Sequence, residues 1–446
     1  MLPVFLRILR MISAAFWTLG AIMLALWIIG RLFNDSWRWS QYIYWIPSAF
    51  SILMSGLAAA MALSIQLLVK GWEQLLAGGP PEGRPPIYKR EARNPYVLLC
   101  LAWGLCGAWS GVFEHRLVAD WISRDNGRDR KRISNTILFW NIGGKAREGW
   151  VEPLRSIDAD LVVVSNQTNW DVVKQFRTLE APEATPDSGT PAAGEAAPPH
   201  PAPAVHPTNN DTTFLAGLFL VHTRLKLREW GLATLNIEQG VGFDIRKANG
   251  RYENRDPGYA MYLLFDPEGT VKQGTGQPFV VWLVDFPSDP SLSRQNVTRE
   301  ARRAVDNWKG TATLLSETPD SKGEPQWINV PSEQLGRRGF PVPDVIIGDF
   351  NIPRGSRSLN NFVGNMQNAY DQAGVGYTAS YPRKVPFTQL DGPGLSSLVR
   401  VFIPSDIPFF HIDQAFIAPS LHATRYRVMN LGTGTHWAQF LEIQSR

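Results

Sequence analysis

Pro343 to Ser356 reads P-D-V-I-I-G-D-F-N-I-P-R-G-S, and the fold turns on the middle of this stretch. Val345, Ile346 and Ile347 form a short apolar run of the kind that builds a fully buried strand. The run stops at Gly348, and an acid and an amide follow, two positions apart. Side chains alternate along a strand, so Asp349 and Asn351 project to one side of its C-terminal end. Such strand ends are where α/β proteins place ligands. The plainer alternative is a strand running into an Asx turn, with Asp349 merely bonding nearby backbone.

Short apolar runs recur around it: Thr136–Ile142, Asp160–Asn166, Phe214–Val221, Ala260–Phe265, Phe279–Phe286, His411–Ala418 and Thr435–Ile443. Helix-like stretches lie between them, among them Ser293–Lys309 and Ser358–Ala373. Strands mixed with helices from residue 134 to 446 predict an α/β or α+β layered domain. Residues 181–211 are rich in Pro and Ala, cannot bury a core, and read as a disordered insertion.

The first 115 residues differ in kind. No charged residue occurs from Met11 to Gly30, enough to cross about 30 Å of hydrocarbon. Two more uncharged stretches follow, and the spans are expected near 11–30, 44–68 and 95–113. A stretch of small residues, Ser55–Ser64, suits close helix approach in lipid. None of the three has a polar face, so buried helices of a soluble protein are the poorer account. Residues 116–133 read as a basic juxtamembrane linker. Lys and Arg counts on the two sides of such a bundle are nearly equal and leave the orientation open.

The net charge of +4 is small for 446 residues and gives no sign of a nucleic-acid-coating surface. The two cysteines, Cys100 and Cys106, lie in an apolar stretch. The region beyond it therefore has no disulfide, thiolate zinc site or cysteine nucleophile. Oligomeric state is not legible.

The motif order then becomes specific: an early strand ending in W-N (Trp140-Asn141), a D-x-V-x-x strand, the late G-D-F-N, I-D-x-x-F (Ile412–Phe416), and a final strand led by His436. From Ser134 to Ile443 this resembles the endonuclease/exonuclease/phosphatase superfamily, which includes DNase I-type nucleases, sphingomyelinases and inositol phosphatases. The resemblance implies a four-layered sandwich of two mixed β-sheets flanked by helices. It implies phosphoester hydrolysis with Mg2+ or Mn2+. Asp349 and Asn351 match the pair that orients water and binds the phosphoryl group. Asp413 and His436 match the acid and the histidine of acid/base or transition-state work. Asn141 matches an amide that helps hold metal or phosphate, and Arg354 is a candidate to meet an anionic substrate. Lone His411 reads as structural.

Three positions depart from the family pattern. Asn166, after Ser165, stands where a metal-binding Glu is usual, and a neutral amide holds a hard cation more weakly. Asp285 stands where a His is usual. Gly434-Thr435-His436 replaces S-D-H. Asn166 and Asp285 are the expected metal ligands of a rearranged site. Two readings stay open: a membrane-anchored hydrolase of phosphodiesters or phosphomonoesters, lipid-linked ones included, or a pseudoenzyme that binds or scaffolds at a membrane. Membrane-bound bacterial members with this layout imply a multi-pass membrane protein with its domain on the extracytoplasmic face.

Overall fold

The computed structural model describes residues 2–76, 94–118, 133–143, 150–166, 211–237, 257–316, 326–382 and 408–446. Most of the basic linker and all of the Pro/Ala-rich insertion except Asp211 lie outside them.

Two mixed sheets form the domain, with strands numbered along the chain. The first runs β13 (Leu421–Met429), β14 (Ala438–Ser445), β1 (Ser134–Asn141), β2 (Leu161–Ser165), β4 (Phe219–Thr223) and β3 (Thr212–Ala216). The second runs β11 (Gln367–Asn368), β12 (Asp413–Ile417), β10 (Val345–Asp349), β7 (Phe279–Asp285), β6 (Tyr259–Phe265), β5 (Leu227–Thr234), β8 (Thr311–Leu315) and β9 (Trp327–Pro331). β1 and β2 pair in parallel, as do β7 and β10, while β12 runs antiparallel to β10.

Strand alternation divides the core into layers. Ile137, Phe139, Val163, Val281, Leu283 and Ile347 meet between the sheets. Their neighbours Leu138, Trp140 and Val164 face outward under Trp150 and Leu154, beside the short helix Glu152–Arg155. On the other side Trp282, Val284 and Ile346 pack under Val297, Ala301 and Val305 of the helix Arg294–Asp306. This is a helix–sheet–sheet–helix sandwich. Ile347 is fully buried at its centre; truncation to Ala there costs about 2–5 kcal/mol.

Two expected elements differ. Phe214–Val221 is two strands, β3 and β4, because Gly217 turns the chain at φ 58°. Ser358–Ala373 is not one helix; Gly364, at φ 65°, ends Asn360–Val363 before β11 and the short helix Ala369–Ala373.

The N-terminal region is helical: α1 (Leu2–Phe33), α2 (Arg38–Tyr44), α3 (Ser48–Leu76) and α4 (Asn94–Trp109), the last prolonged by a π-helical turn, Ser110–Glu114. Helix α1 thus extends well beyond 11–30. The stretch expected near 44–68 splits at Pro47, so that Tyr44 closes α2 and α3 begins at Ser48. Helices α1 and α3 run antiparallel in close contact. Ser13 Oγ donates to Ala62 O at 2.8 Å, and Trp27 Nε1 to Ser48 Oγ at 2.8 Å. Helix α4 joins α3 through Trp103 Nε1 and Ile52 O, 2.6 Å apart. By length and composition α1 and α3 can each cross a membrane, both with mean hydropathy 2.1, while the apolar helix Leu98–Glu114 is shorter.

Candidate active site

The site is assembled where several strands end along one rim. In β10, Gly348 is required by close approach: a Cβ there would lie 2.0 Å from Val284 O of the parallel neighbour β7. With the strands this tight, Asp349 falls in register with both Asp285 and Asp413. Three carboxylates therefore stand side by side on adjacent strands. In the first sheet, Asn141 pairs with Ser165 at the matching ends of β1 and β2. Beyond their strands Asn166 and Asn351 adopt left-handed backbone, φ 60° and 48°, which Asn tolerates better than most residues.

Six of the eight residues expected in the site come together, with Asn351 at the rim. Asn141 Nδ2 donates to Asp349 Oδ2 at 2.8 Å, bridging the two sheets. Asn166 Nδ2 donates to Asn141 Oδ1 at 2.9 Å and to Asp285 Oδ2 at 3.0 Å, and Ser165 Oγ donates to the same Asp285 oxygen at 2.7 Å. His436 Nδ1 lies 2.8 Å from Asp413 Oδ2 and 3.8 Å from Asp349 Oδ2. Asn351 donates its backbone N–H to Asp349 Oδ1 at 2.8 Å, while its amide Nδ2 donates to Phe286 O at 2.7 Å. The Asx turn considered above is thus present, and it coexists with the cluster. Trp140 Nε1 donates to His436 O at 3.0 Å, and the Tyr381 ring lies 4.6 Å from the imidazole.

Arg354 is elsewhere. Its guanidinium donates to Asp371 Oδ1 at 2.7 Å and to Glu114 O, and lies 4.3 Å over the Tyr370 ring. It faces the end of α4 and not the carboxylates. His411 is held between Thr378 Oγ1, at 3.0 Å, and Tyr426 OH, at 3.3 Å; burial pushes its pKa well below the ordinary value. A cavity of about 100 Å³ lies not at the cluster but between the helix ends and the domain, lined by Tyr44, Trp45, His115, Tyr377 and Phe410 among others.

The electrostatics follow from burial. Asp349 and Asp413 are each 1% exposed. Burial, and then the charge of Asp413, raise the Asp349 pKa against the opposing pull of His436. Burial alone would lower that of His436, but Asp413 and Asp349 outweigh it and hold the imidazole above its ordinary value.

A hard divalent cation fits this donor set. Ligand atoms of Asp349, Asp413 and His436 lie within 4.8 Å of one another. Among the described residues His436 is the one cationic side chain within 4 Å of Asp349 and Asp413. Asp413 Oδ1 is buried without a hydrogen-bond partner there. Buried carboxylates are normally paired or bound to metal, and oxygen-rich sets suit Mg2+ or Mn2+. Asp285 and Asn166, the expected ligands, occupy the adjoining half of the rim.

No protein-family model and no curated protein matches this sequence. Among solved structures, the chain is similar to an endonuclease/exonuclease/phosphatase family protein from Bacteroides thetaiotaomicron, at 14% identity and TM-score 0.38, over 70% of this chain and 98% of that one. It is similar to an endonuclease/exonuclease/phosphatase from Beutenbergia cavernae, at 13% identity and TM-score 0.35, over 70% and 72%. A third is the inositol polyphosphate 5-phosphatase domain of SPsynaptojanin, in complex with inositol (1,4)-bisphosphate and calcium ion, at 11% identity and TM-score 0.36, over 74% and 91%.

Proposed function

We propose that this chain is a membrane-anchored, divalent-cation-dependent hydrolase of phosphoesters, either phosphodiesters or phosphomonoesters. One observation carries the reading: Asn141, Asp349, Asp413 and His436, far apart in sequence, meet in a single buried cluster. Asp349, anchored by Asn141 and the Asn351 N–H, is placed to orient a water and receive its proton. His436, backed by Asp413, is placed to donate to a phosphoryl or leaving oxygen. Asp349 and Asp413 would hold the metal, Asp285 and Asn166 flanking it; bound Mg2+ or Mn2+ would neutralise phosphoryl oxygens and acidify water.

Membrane anchoring is supported by how little of the long helices is covered. Only 22% and 28% of their most apolar windows are buried, whereas core helices of soluble proteins are mostly enclosed. Leu19, Ile22, Leu57 and Leu67 are among the many apolar side chains left exposed. We read α4 with its π turn as a third span. The resemblance to membrane-bound bacterial proteins favours an extracytoplasmic domain.

A second reading, a binding or scaffolding domain without turnover, is favoured by one observation: the Asn166 amide donates to both Asp285 and Asn141, filling acceptors that a metal would use. A panel of phosphodiesters and phosphomonoesters, assayed with Mg2+ and Mn2+, separates the two. Turnover abolished by Asp349→Ala supports the hydrolase; metal and phosphate binding without turnover supports the alternative.

A further inference from the structure

The segment between the two long helices is bolted to the loops that leave the site. Asn34, Asp35, Gln41 and Tyr44 are all buried. Asn34 Nδ2 donates to Gly355 O at 2.9 Å, and Asn34 Oδ1 accepts from Arg357 N at 3.1 Å. Asp35 accepts from Ser358 N at 3.2 Å and from the Ser358 hydroxyl. Tyr44 OH donates to Arg354 O at 2.6 Å. A Cβ at Gly355, itself at φ 82°, would stand 2.8 Å from that hydroxyl, so the contact needs glycine. Gln41 Nε2 donates to Pro290 O and Leu292 O, both at 3.1 Å, and Gln41 Oε1 accepts from Arg294 N at 3.2 Å.

Both anchored loops issue directly from strands carrying the cluster, β10 and β7. Arg354 follows Asp349 by five residues, and Pro290 follows Asp285 by five, a reach of at most about 17 Å. The helix ends therefore pack against the rim where the carboxylates lie, not the opposite edge of the sheets.

Exposed aromatic side chains gather at this junction. Trp37 and Trp39 are 51% and 52% exposed and stack on each other at 5.7 Å, with exposed Phe33 against both, and exposed Tyr42 follows in the same segment, against Trp45. Rings with a polar edge collect at head-group level. These rings belong to the same short segment that is bonded to the site loops.

We infer that the rim of the site is held at head-group level and that its substrate is a phosphoester resident in the bilayer, the head group of a lipid. This rests on the phosphoesterase reading. A floppy tether would let the domain sample bulk water. Here buried hydrogen bonds fix its height, and a lipid phosphate need rise only a short way to enter. Confinement raises the local substrate concentration without any new contact. A water-soluble phosphoester offers the same chemistry, so the test separates the two sources.

The full chain is placed in nanodiscs of phosphatidylcholine and phosphatidylglycerol. For height, Cys100 and Cys106 are changed to Ser, and a fluorophore is put on Thr435→Cys, next to His436, or on Val342→Cys, which is 85% exposed ahead of β10. Energy transfer to a head-group-labelled lipid is expected to be strong at 435 and weak at 342. For substrate, the unlabelled wild-type chain is given Mg2+ or Mn2+ and compared on bilayer phospholipid, a short-chain soluble analogue and bis(4-nitrophenyl) phosphate. The bilayer lipid is expected to turn over at least about tenfold faster than its soluble analogue. Equal transfer at both positions overturns the inference. So does turnover of the soluble esters at an equal or greater rate, which leaves the phosphoesterase reading standing. Turnover of none of the three overturns that reading and the substrate assignment with it.

Discussion

Asp413 Oδ2 sits 2.8 Å from His436 Nδ1, so the carboxylate at the start of β12 fixes the imidazole that precedes β14. The contact sets which face of the ring points into the cluster and favours the imidazolium. Asp413→Asn keeps the shape and removes the charge. In a phosphodiesterase assay with Mg2+ it is expected to lower kcat by about 10²–10⁴, with KM little changed. His436→Ala should fall in the same range, and the double variant should be no worse than either alone. A wild-type rate in Asp413→Asn would remove His436 from the chemistry.

Metal binding has a stability signature independent of turnover. Asp349 and Asp413 are buried like charges, and a cation relieves them only in the folded state. At about 100 times its Kd, Mg2+ or Mn2+ should stabilise the full chain by about 2.7 kcal/mol, read as a rise in Tm. Asp349→Asn removes one of the two charges and should abolish that rise. An unchanged metal response in Asp349→Asn would mean that the ion binds elsewhere.

Arg354 is predicted to matter for stability and not for substrate affinity. It gives charged hydrogen bonds to Glu114 O and Asp371 and lies over Tyr370. Asp371 is largely exposed, so that pair contributes little. The bond to the partly buried Glu114 carbonyl and the ring contact together make Arg354→Ala cost about 1–3 kcal/mol. Thermal unfolding of the full chain should fall accordingly while KM for a phosphoester stays near wild type. A large KM increase with unchanged Tm would return Arg354 to the substrate.

The sequence made the domain's inner strands legible because they are apolar on both faces. Val345–Asp349 and Phe279–Asp285 are buried throughout, and no local signal competes with them. Strands with one polar face were harder. Leu227–Thr234 and Leu421–Met429 alternate buried with exposed residues and contain Arg, Glu and His, which mask the apolar period. The rim was legible through motif order, since a strand end in a two-sheet sandwich has few directions open to it. Arg354 was not, because its partner Glu114 O is 240 residues away. Asn34 and Asp35 were not legible for the same reason, their partners lying more than 320 residues away. Their one local trace is a pair of short polar residues directly after a long apolar helix, which reads equally well as a solvated turn.

The junction between helices and domain should also respond to acid through His115. This side chain follows the π turn of α4, lies beside Glu114 and 5.5 Å from the Tyr377 ring, and feels Arg354 and Arg31. Burial lowers its pKa first; Glu114 opposes, and the two arginines add to the lowering. The folded chain therefore binds fewer protons here than the unfolded chain, whose histidine titrates near about 6.5. The contribution to stability is present above that value and is lost as pH falls below it. Thermal unfolding of the full chain in nanodiscs, followed from about pH 7.5 to about pH 5.5, should decline more steeply for wild type than for His115→Asn. The Gly376 N–H bond to His115 O, 2.8 Å, is made by backbone and survives the change, so the difference in slope isolates the imidazole. Parallel slopes in the two proteins would show that protonation at this junction costs nothing.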